Sequence, residues 1–226
     1  MQIEKMLIRY NKTVAKGRKI KYIVIHDTGN KGKGAGVDSH FNFFNGGDRQ
    51  SSADFFVDDK KIGQFTDYKN EYSWHAGKKY GEPPVKDCTN ANSVGIEICI
   101  NVDGNYAKAV SNTIELVKHL QKELNIPDER VIRHYDACLK QCPGSMAANN
   151  WQAWKEFKQK LSAPPAEKKD KTSLIVDEAG KIYTIQVEAV NIDGRNHIQL
   201  RDLAQIPSIQ IDYDEAKKMP IIRVGK

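Results

Sequence analysis

The run Tyr22-Ile23-Val24-Ile25 sets four apolar residues in succession, three of them β-branched, with no polar alternation. Such a run reads as a central strand covered on both faces, so the chain needs packing layers on either side of a sheet. His26 ends it. A second apolar run opens at Val131-Ile132 and leads through His134 into a loop carrying Lys140 and Cys142, six and eight residues beyond that histidine. A strand over 131–135 would deliver His134 at its end, and two such strands in one sheet would bring both imidazoles to one mouth.

Imidazole nitrogen and thiolate sulfur suit a borderline-soft cation such as zinc, which makes His134 and Cys142 candidate ligands and His26 the best third. Three protein ligands leave the fourth tetrahedral position open, as in catalytic rather than structural sites. The plain alternative is a satisfied sheet-end histidine and a cysteine buried as a small hydrophobe. In Gly95-Ile96-Glu97-Ile98-Cys99-Ile100, alternation sends the three isoleucines to one face and Glu97 to the other. A carboxylate in mid-strand is costly unless paired, so Glu97 is either an ion-pair member or a functional base.

Taken in order, Tyr22 through His26-Asp27-Thr28, Ser73-Trp74-His75-Ala76-Gly77, Gly95-Ile96-Glu97-Ile98, and His134 through Lys140 to Cys142-Pro143-Gly144 resemble the type 2 zinc-dependent N-acetylmuramoyl-L-alanine amidases. That family also contains phage lysis amidases and peptidoglycan recognition proteins, and the resemblance covers about residues 20–161. It implies zinc on His26, His134 and Cys142, Glu97 and Lys140 as catalytic partners, and Trp74 and His75 lining the substrate groove. It also implies hydrolysis of the amide between N-acetylmuramic acid and L-alanine in bacterial peptidoglycan, as a phage or prophage endolysin acting on a Gram-positive host. The expected fold is α/β: a central mixed β-sheet flanked by helices, zinc at the strand ends, and a small C-terminal α+β domain. Two other functions remain to be weighed. A non-catalytic peptidoglycan-binding protein is expected where the metal site is lost, and Cys142 is present. A structural zinc in a nucleic-acid-binding protein needs a fourth ligand, for which Cys138 is the only local candidate.

No apolar stretch approaches the ~20 residues of a membrane span, so no membrane insertion is expected. The start, Met1 to Tyr10, lacks the apolar core of a signal peptide; synthesis in the host cytoplasm and action at the wall after release are expected. Thirty-five Lys and Arg against 29 Asp and Glu give a net charge of +6, which draws the chain to polyanions. The basic residues are dispersed and lack interleaved aromatics, which argues against nucleic acid and leaves anionic wall polymers, met through the C-terminal domain, as expected partners. The four cysteines, Cys88, Cys99, Cys138 and Cys142, form no CxxC pair. Cys99 belongs to a core strand; synthesis in the cytosol argues against disulfides, with Cys88 and Cys138 the pair that could in principle bridge.

Residues 1–21 read as a lead-in without assigned chemistry. The glycine-rich Gly29–Gly36 reads as a loop beside the metal, because it lacks the order of a phosphate cradle. A helix is expected over Val37–Asn45, closed by Gly46-Gly47, with His40 partly buried. Ala53–Val57 and Ile62–Phe65 form a hairpin in which Asp54 receives no role. An amphipathic helix spans Asn105–Asn125 with Val110, Ile114, Val117, Leu120 and Leu124 inward and His119 solvated. Trp151, Trp154, Phe157 and Leu161 mark a last helix. The expected organisation is a catalytic domain over 1–161, a linker over 162–171 and a small domain over 172–226 for wall attachment or self-association. Within that small domain, strands are expected at 181–187, 209–212 and 221–224, with a turn at Asp193-Gly194, a helix over Leu200–Ala204 and an exposed His197.

Overall fold

The computed structural model describes residues 2–77 and 79–163, and the strand backbones of 169–178, 181–192, 195–198, 209–214 and 219–224. The chain divides into two compact units, Met1–Ala163 and Pro164–Lys226.

The first unit holds strands β1 (Ile3–Lys5), β2 (Lys12–Val14), β3 (Tyr22–Asp27), β4 (Phe55–Val57), β5 (Ile62–Gln64), β6 (Glu71–Ser73), β7 (Ser93–Ile98) and β8 (Val131–Arg133). Its helices are α1 (Val37–Asn45), α2 (Tyr106–Leu124), the short α3 (His134–Cys138) and α4 (Ala148–Ser162). Six strands make a sheet in the order β1-β5-β4-β7-β3-β8, while β2 and β6 pair separately. β4 and β5 are antiparallel and the other neighbours in the sheet are parallel, so it is mixed.

Ile23 and Ile25 of β3 enter one core with Phe55, Val94, Ile96 and Ile98, whereas Tyr22 and Val24 pack on the opposite face with Cys88, Ile132 and Ala137. Burial on both faces is why the run shows no alternation. Leu116, Val117 and Leu120 of α2 and Trp154, Phe157 and Leu161 of α4 close the larger core; each such side chain contributes about 1.5–3 kcal/mol when fully buried. Asn105 caps α2 by accepting from Lys108 N at 3.0 Å, and Asn125 ends it in a left-handed conformation with φ of 53°. The inward stripe is rotated from the expected one: Ala109, Thr113 and Leu116 are buried with Val117 and Leu120, and Val110, Ile114 and Leu124 lie at its edge. Asp58, in the β4–β5 turn, accepts from Lys60 N and Lys61 N at 2.8 Å and from Val37 N at 2.9 Å. One carboxylate thereby closes the hairpin and satisfies the first amide of α1, which has no side-chain cap of its own.

Several expectations are corrected. β8 stops at Arg133, not at 135, because Asp136 accepts from Arg133 N at 2.9 Å and starts α3, so His134 is the first residue of a helix. The lead-in is part of the fold: β1 pairs with β5, β2 pairs with β6, and the partly buried Arg18 donates to the carbonyls of Glu71 and Ser93. Asp54 is fully buried and accepts from Thr66 Oγ1 at 2.5 Å, Ser73 Oγ at 2.8 Å and Gly95 N at 2.8 Å. Burial pushes its pKa up, and the Arg18 charge and these donors pull against that. All four cysteines are buried free thiols, so Cys88 and Cys138 do not bridge.

In the second unit, β9 (Lys169–Glu178), β10 (Lys181–Ile192) and β11 (Arg195–Ile198) form an antiparallel sheet in the order β11-β10-β9. β12 (Ile209–Asp214) and β13 (Met219–Val224) pair antiparallel. Lys169 to Lys171, expected in the linker, begin β9. The rest of that linker beyond Ala163, the turn at Asp193-Gly194, the helix over Leu200–Ala204 and the His197 side chain lie outside the described residues. Among the described residues no helix is long and apolar enough to cross a membrane.

Asp54→Ala should strand three donors and the Arg18 charge at once, costing about 3 kcal/mol or more. In a domain of this size that lowers the melting midpoint by roughly 6–12 °C. A midpoint within about 2 °C of the parent would show that the network does not hold the strands together.

Candidate metal centre

Parallel pairing of β3 with β7 sets His26 directly beside Glu97, on the face opposite Ile25 and Ile96. His26 Nδ1 lies 4.0 Å from Glu97 Oε1 and 3.7 Å from Cys142 Sγ. His134 lies close by, its ring centre 4.3 Å from that of His26 and its plane tilted by 57°. One donor atom from each of His26, His134 and Cys142 falls within 4.8 Å of the others, and all three residues are buried. Tetrahedral zinc bonded at its usual lengths would separate such donors by about 3.3–3.6 Å.

The loop bearing Cys142 is held to the end of β3 by Asp27, whose Oδ2 accepts from Ser145 N and Ser145 Oγ, each at 2.7 Å. Tyr135 N donates to the Cys142 carbonyl at 3.0 Å, which joins the same loop to the start of α3. The Cys142–Pro143 peptide is cis.

A chain of hydrogen bonds fixes which nitrogen of His26 faces the cluster. Ser93 Oγ donates its hydrogen to the Thr89 carbonyl at 2.5 Å, so it must accept from His75 Nε2 at 3.1 Å. His75 Nδ1 is then an acceptor for His26 Nε2–H at 3.1 Å, and the lone pair of His26 is left on Nδ1, toward Cys142. His75 is seated by Asn90 Oδ1, which accepts from its backbone N at 3.0 Å, and by the bare Gly95, where a Cβ would stand 2.6 Å from the imidazole.

Burial lowers the pKa of His26 well below the ordinary histidine range, helped by His134, His75 and Lys140. Burial likewise brings His134 and His75 to about 3, with His75 and Lys140 adding to the shift of His134 and Arg18 to that of His75. Both ligand imidazoles are therefore neutral near pH 7, as metal binding requires. Burial and the Glu97 charge push the Cys142 thiol up, so a bound cation must displace its proton. His134 Nδ1 is buried without a hydrogen-bond partner, as expected of an atom with a ligand to hold. The residues fit a metal.

Lys140, Trp74, His75, Asn90 and His134 line a cavity of about 280 Å³. Trp74 Nε1 donates to Thr13 Oγ1 at 2.9 Å, leaving its ring as cavity wall. The seven residues singled out from the sequence are thus gathered: three in the cluster, Glu97 against it, His75 behind His26, and Trp74 and Lys140 at the cavity. Asp27, Asn90 and Ser93 went unassigned; Asp27 lies inside the His26 motif, but only the folded chain reveals Ser145 opposite it. His40 is buried rather than partly buried, and His119 is exposed beside Glu123 at 3.6 Å.

Fold and site together define an α/β protein with a buried His-His-Cys cluster, able to hold a metal ion, at the mouth of a mixed sheet. The chain belongs to the N-acetylmuramoyl-L-alanine amidase family, whose pattern it matches over residues 16–145. It is 36% identical over 146 residues to the N-acetylmuramoyl-L-alanine amidase CwlH of Bacillus subtilis (strain 168), covering 65% of this chain and 56% of CwlH. With XlyA of the same organism it shares 37% identity over 134 residues, 59% of this chain and 42% of XlyA. The chain thus spans about half the length of these curated relatives. The solved catalytic domain of XlyA superposes with a TM-score of 0.61 at 33% identity, covering 71% of this chain and 99% of that domain. The structure of PlyL gives 0.61 at 29% identity, covering 74% of this chain and all of that one (100%).

Titration with cobalt(II) should load one ion per chain and give a sulfur-to-cobalt charge-transfer band that Cys142→Ser abolishes. His75→Phe should keep the band but weaken binding by about 10–100-fold, since it removes the acceptor that orients His26. Unchanged affinity in His75→Phe would refute the orienting role.

Proposed function

We propose that the chain hydrolyses the amide between the lactyl group of N-acetylmuramic acid and L-alanine in bacterial peptidoglycan, with zinc as its metal. The observation that carries this reading is Glu97 held in register beside His26, facing a buried His-His-Cys cluster. The names of CwlH and XlyA, both N-acetylmuramoyl-L-alanine amidases, support the same bond.

Zinc held by His26, His134 and Cys142 would supply a Lewis acid able to lower the pKa of water from ~15.7 to about 7. The remaining work falls to the chain. Burial first, and then the charge of Asp27, raise Glu97 well above the ordinary carboxylate range against the opposing Lys140. A carboxylate so raised takes a proton from water and passes it to the departing amine of L-alanine. Lys140, which lines the cavity, is assigned to stabilise the charge that develops on the amide oxygen. Trp74 offers its ring to the substrate. His75 has both ring nitrogens engaged by His26 and Ser93, so its proposed part is to orient His26 rather than to touch substrate.

Residues 172–226 hold seven Lys and Arg against eight Asp and Glu, so the basic surplus lies in the rest of the chain. Attraction to anionic wall polymers is accordingly assigned to the first unit, and the second to uncharged wall contacts or self-association. Action at the wall, as an endolysin on a Gram-positive host, is part of the same proposal.

Purified peptidoglycan treated with the protein as prepared, after chelation, and after zinc is restored should release stem peptides beginning with L-alanine only when zinc is present, as read by mass spectrometry. Glu97→Gln should lower the rate by about 10²–10⁴-fold and Lys140→Ala by about 10²–10³-fold, each with zinc content unchanged. Binding to the wall with no fragment released would favour a non-catalytic recognition protein instead.

A further inference from the structure

Lys140 stands between two constrained residues. Two positions on, Cys142 N donates to the Lys140 carbonyl at 2.7 Å, closing a tight turn onto the cluster cysteine. One position before, Leu139 ends α3 with φ of 65° and ψ of 9°, its N–H donating to the Tyr135 carbonyl at 2.8 Å. The residue itself is exposed, yet the direction in which its stem leaves the chain is set by backbone on both sides. A lysine stem is long and freely rotating, so the backbone that aims it decides how often the ammonium is found at the cavity. The Lys140 charge lowers His26 and His134 and opposes the rise of Glu97, which places it within electrostatic reach of the cluster.

A left-handed leucine needs a reason. Seven described non-glycine residues have positive φ, and four of them are asparagine, whose short polar side chain tolerates that region. Glycine is the usual residue just past a helix, because it has no Cβ to crowd the following carbonyl. A leucine there carries that steric cost and persists only where its surroundings hold it. The holder is the segment from Tyr80 to Val85. Tyr80 N donates to the Cys138 carbonyl and Val85 N to the Asp136 carbonyl, each at 2.9 Å, which straps the segment along α3. Between those two bonds Gly81, with φ of 146°, meets the leucine: a Cβ built on it would stand 3.0 Å from Leu139 Cδ1. Strained leucine and bare glycine therefore fit each other, and Tyr80, next to Gly81, lines the same cavity as Lys140. One apolar contact thus joins two walls of that cavity.

We propose that Leu139, latched on Gly81, is the positioning residue that aims Lys140 into the cavity, and that this contact is what holds the left-handed turn in place. Leu139 touches no reacting atom and acts through its neighbour. This rests on the amidase reading, in which Lys140 stabilises the charge on the amide oxygen. What it adds is that the lysine works from a backbone clamped by residues outside the metal cluster.

The test follows release of L-alanyl peptide from a soluble N-acetylmuramoyl peptide by zinc-loaded protein, which gives kcat and KM separately. Leu139→Gly adopts the turn without strain but has nothing to latch, so kcat should fall about 10-fold with KM, zinc content and the cobalt charge-transfer band unchanged. Leu139→Met, which still reaches Gly81, should stay within about threefold of the parent. Because the latch acts through Lys140, adding Leu139→Gly to Lys140→Ala should cost nothing further, whereas a loss through general loosening would carry over. Gly81→Ala, pressing on Leu139 from the other side, should lower kcat several-fold with zinc retained. A parental kcat in Leu139→Gly, a loss repeated in full in the Lys140→Ala background, or zinc lost along with the rate would overturn the positioning role while leaving the amidase reading intact. If the zinc-loaded parent releases no L-alanyl peptide, the amidase reading fails, and this inference fails with it.

Discussion

Everything at the metal centre hangs on the parallel register between β3 and β7. Because paired residues of parallel neighbours project to the same face, His26 and Glu97 arrive side by side without any contact having to draw them there. The opposite face of both strands is solid aliphatic packing, which makes a one-residue slip prohibitive: it would turn His26 and Glu97 into the core and isoleucines out toward the cavity. The hydrophobic core therefore guards the geometry of a polar site that it never touches.

Burial, which makes an ion costly, is at this site what makes a cation welcome. The two ligand imidazoles are kept neutral by desolvation and by Lys140, so their lone pairs are available without a preceding deprotonation. The Cys142 thiol runs the other way and retains its proton until a metal competes for the sulfur. Glu97 is 19% exposed at its side chain, yet burial in the surrounding protein and, after it, neighbouring Asp27 keep its proton affinity high. A proton acceptor and an electron-pair donor set thus share a few ångströms without neutralising each other as an ion pair.

Much of this was legible in the sequence, and for identifiable reasons. The unalternating Tyr22–Ile25 run could only be a strand covered twice, and Glu97 stood out because its own strand is otherwise apolar. The hairpin and α1 were announced by glycine, aspartate and spacing. What escaped was non-local. Asp54 and Arg18 are ordinary in their own segments; their importance comes from Thr66, Ser73, Gly95, Glu71 and Ser93, which only the tertiary fold supplies. The strand ending at Arg133 was overrun by two residues because helix capping by Asp136 competes with a β-prone Val-Ile start. The family resemblance places His75 at the groove, and it does line the cavity, but its further contact behind His26 depends on a hydrogen-bond chain that ends at Thr89.

Gly95 gives that hidden chain a genetic face. A side chain at this position would collide with the His75 ring, although the glycine itself donates nothing to any ligand and sits in the middle of a well-paired strand. Its failure would surface two imidazoles away, as a lost metal rather than a lost fold. In a mutational record of this protein, position 95 would be filed among the catalytic losses, and the space it leaves vacant is what earns it that place.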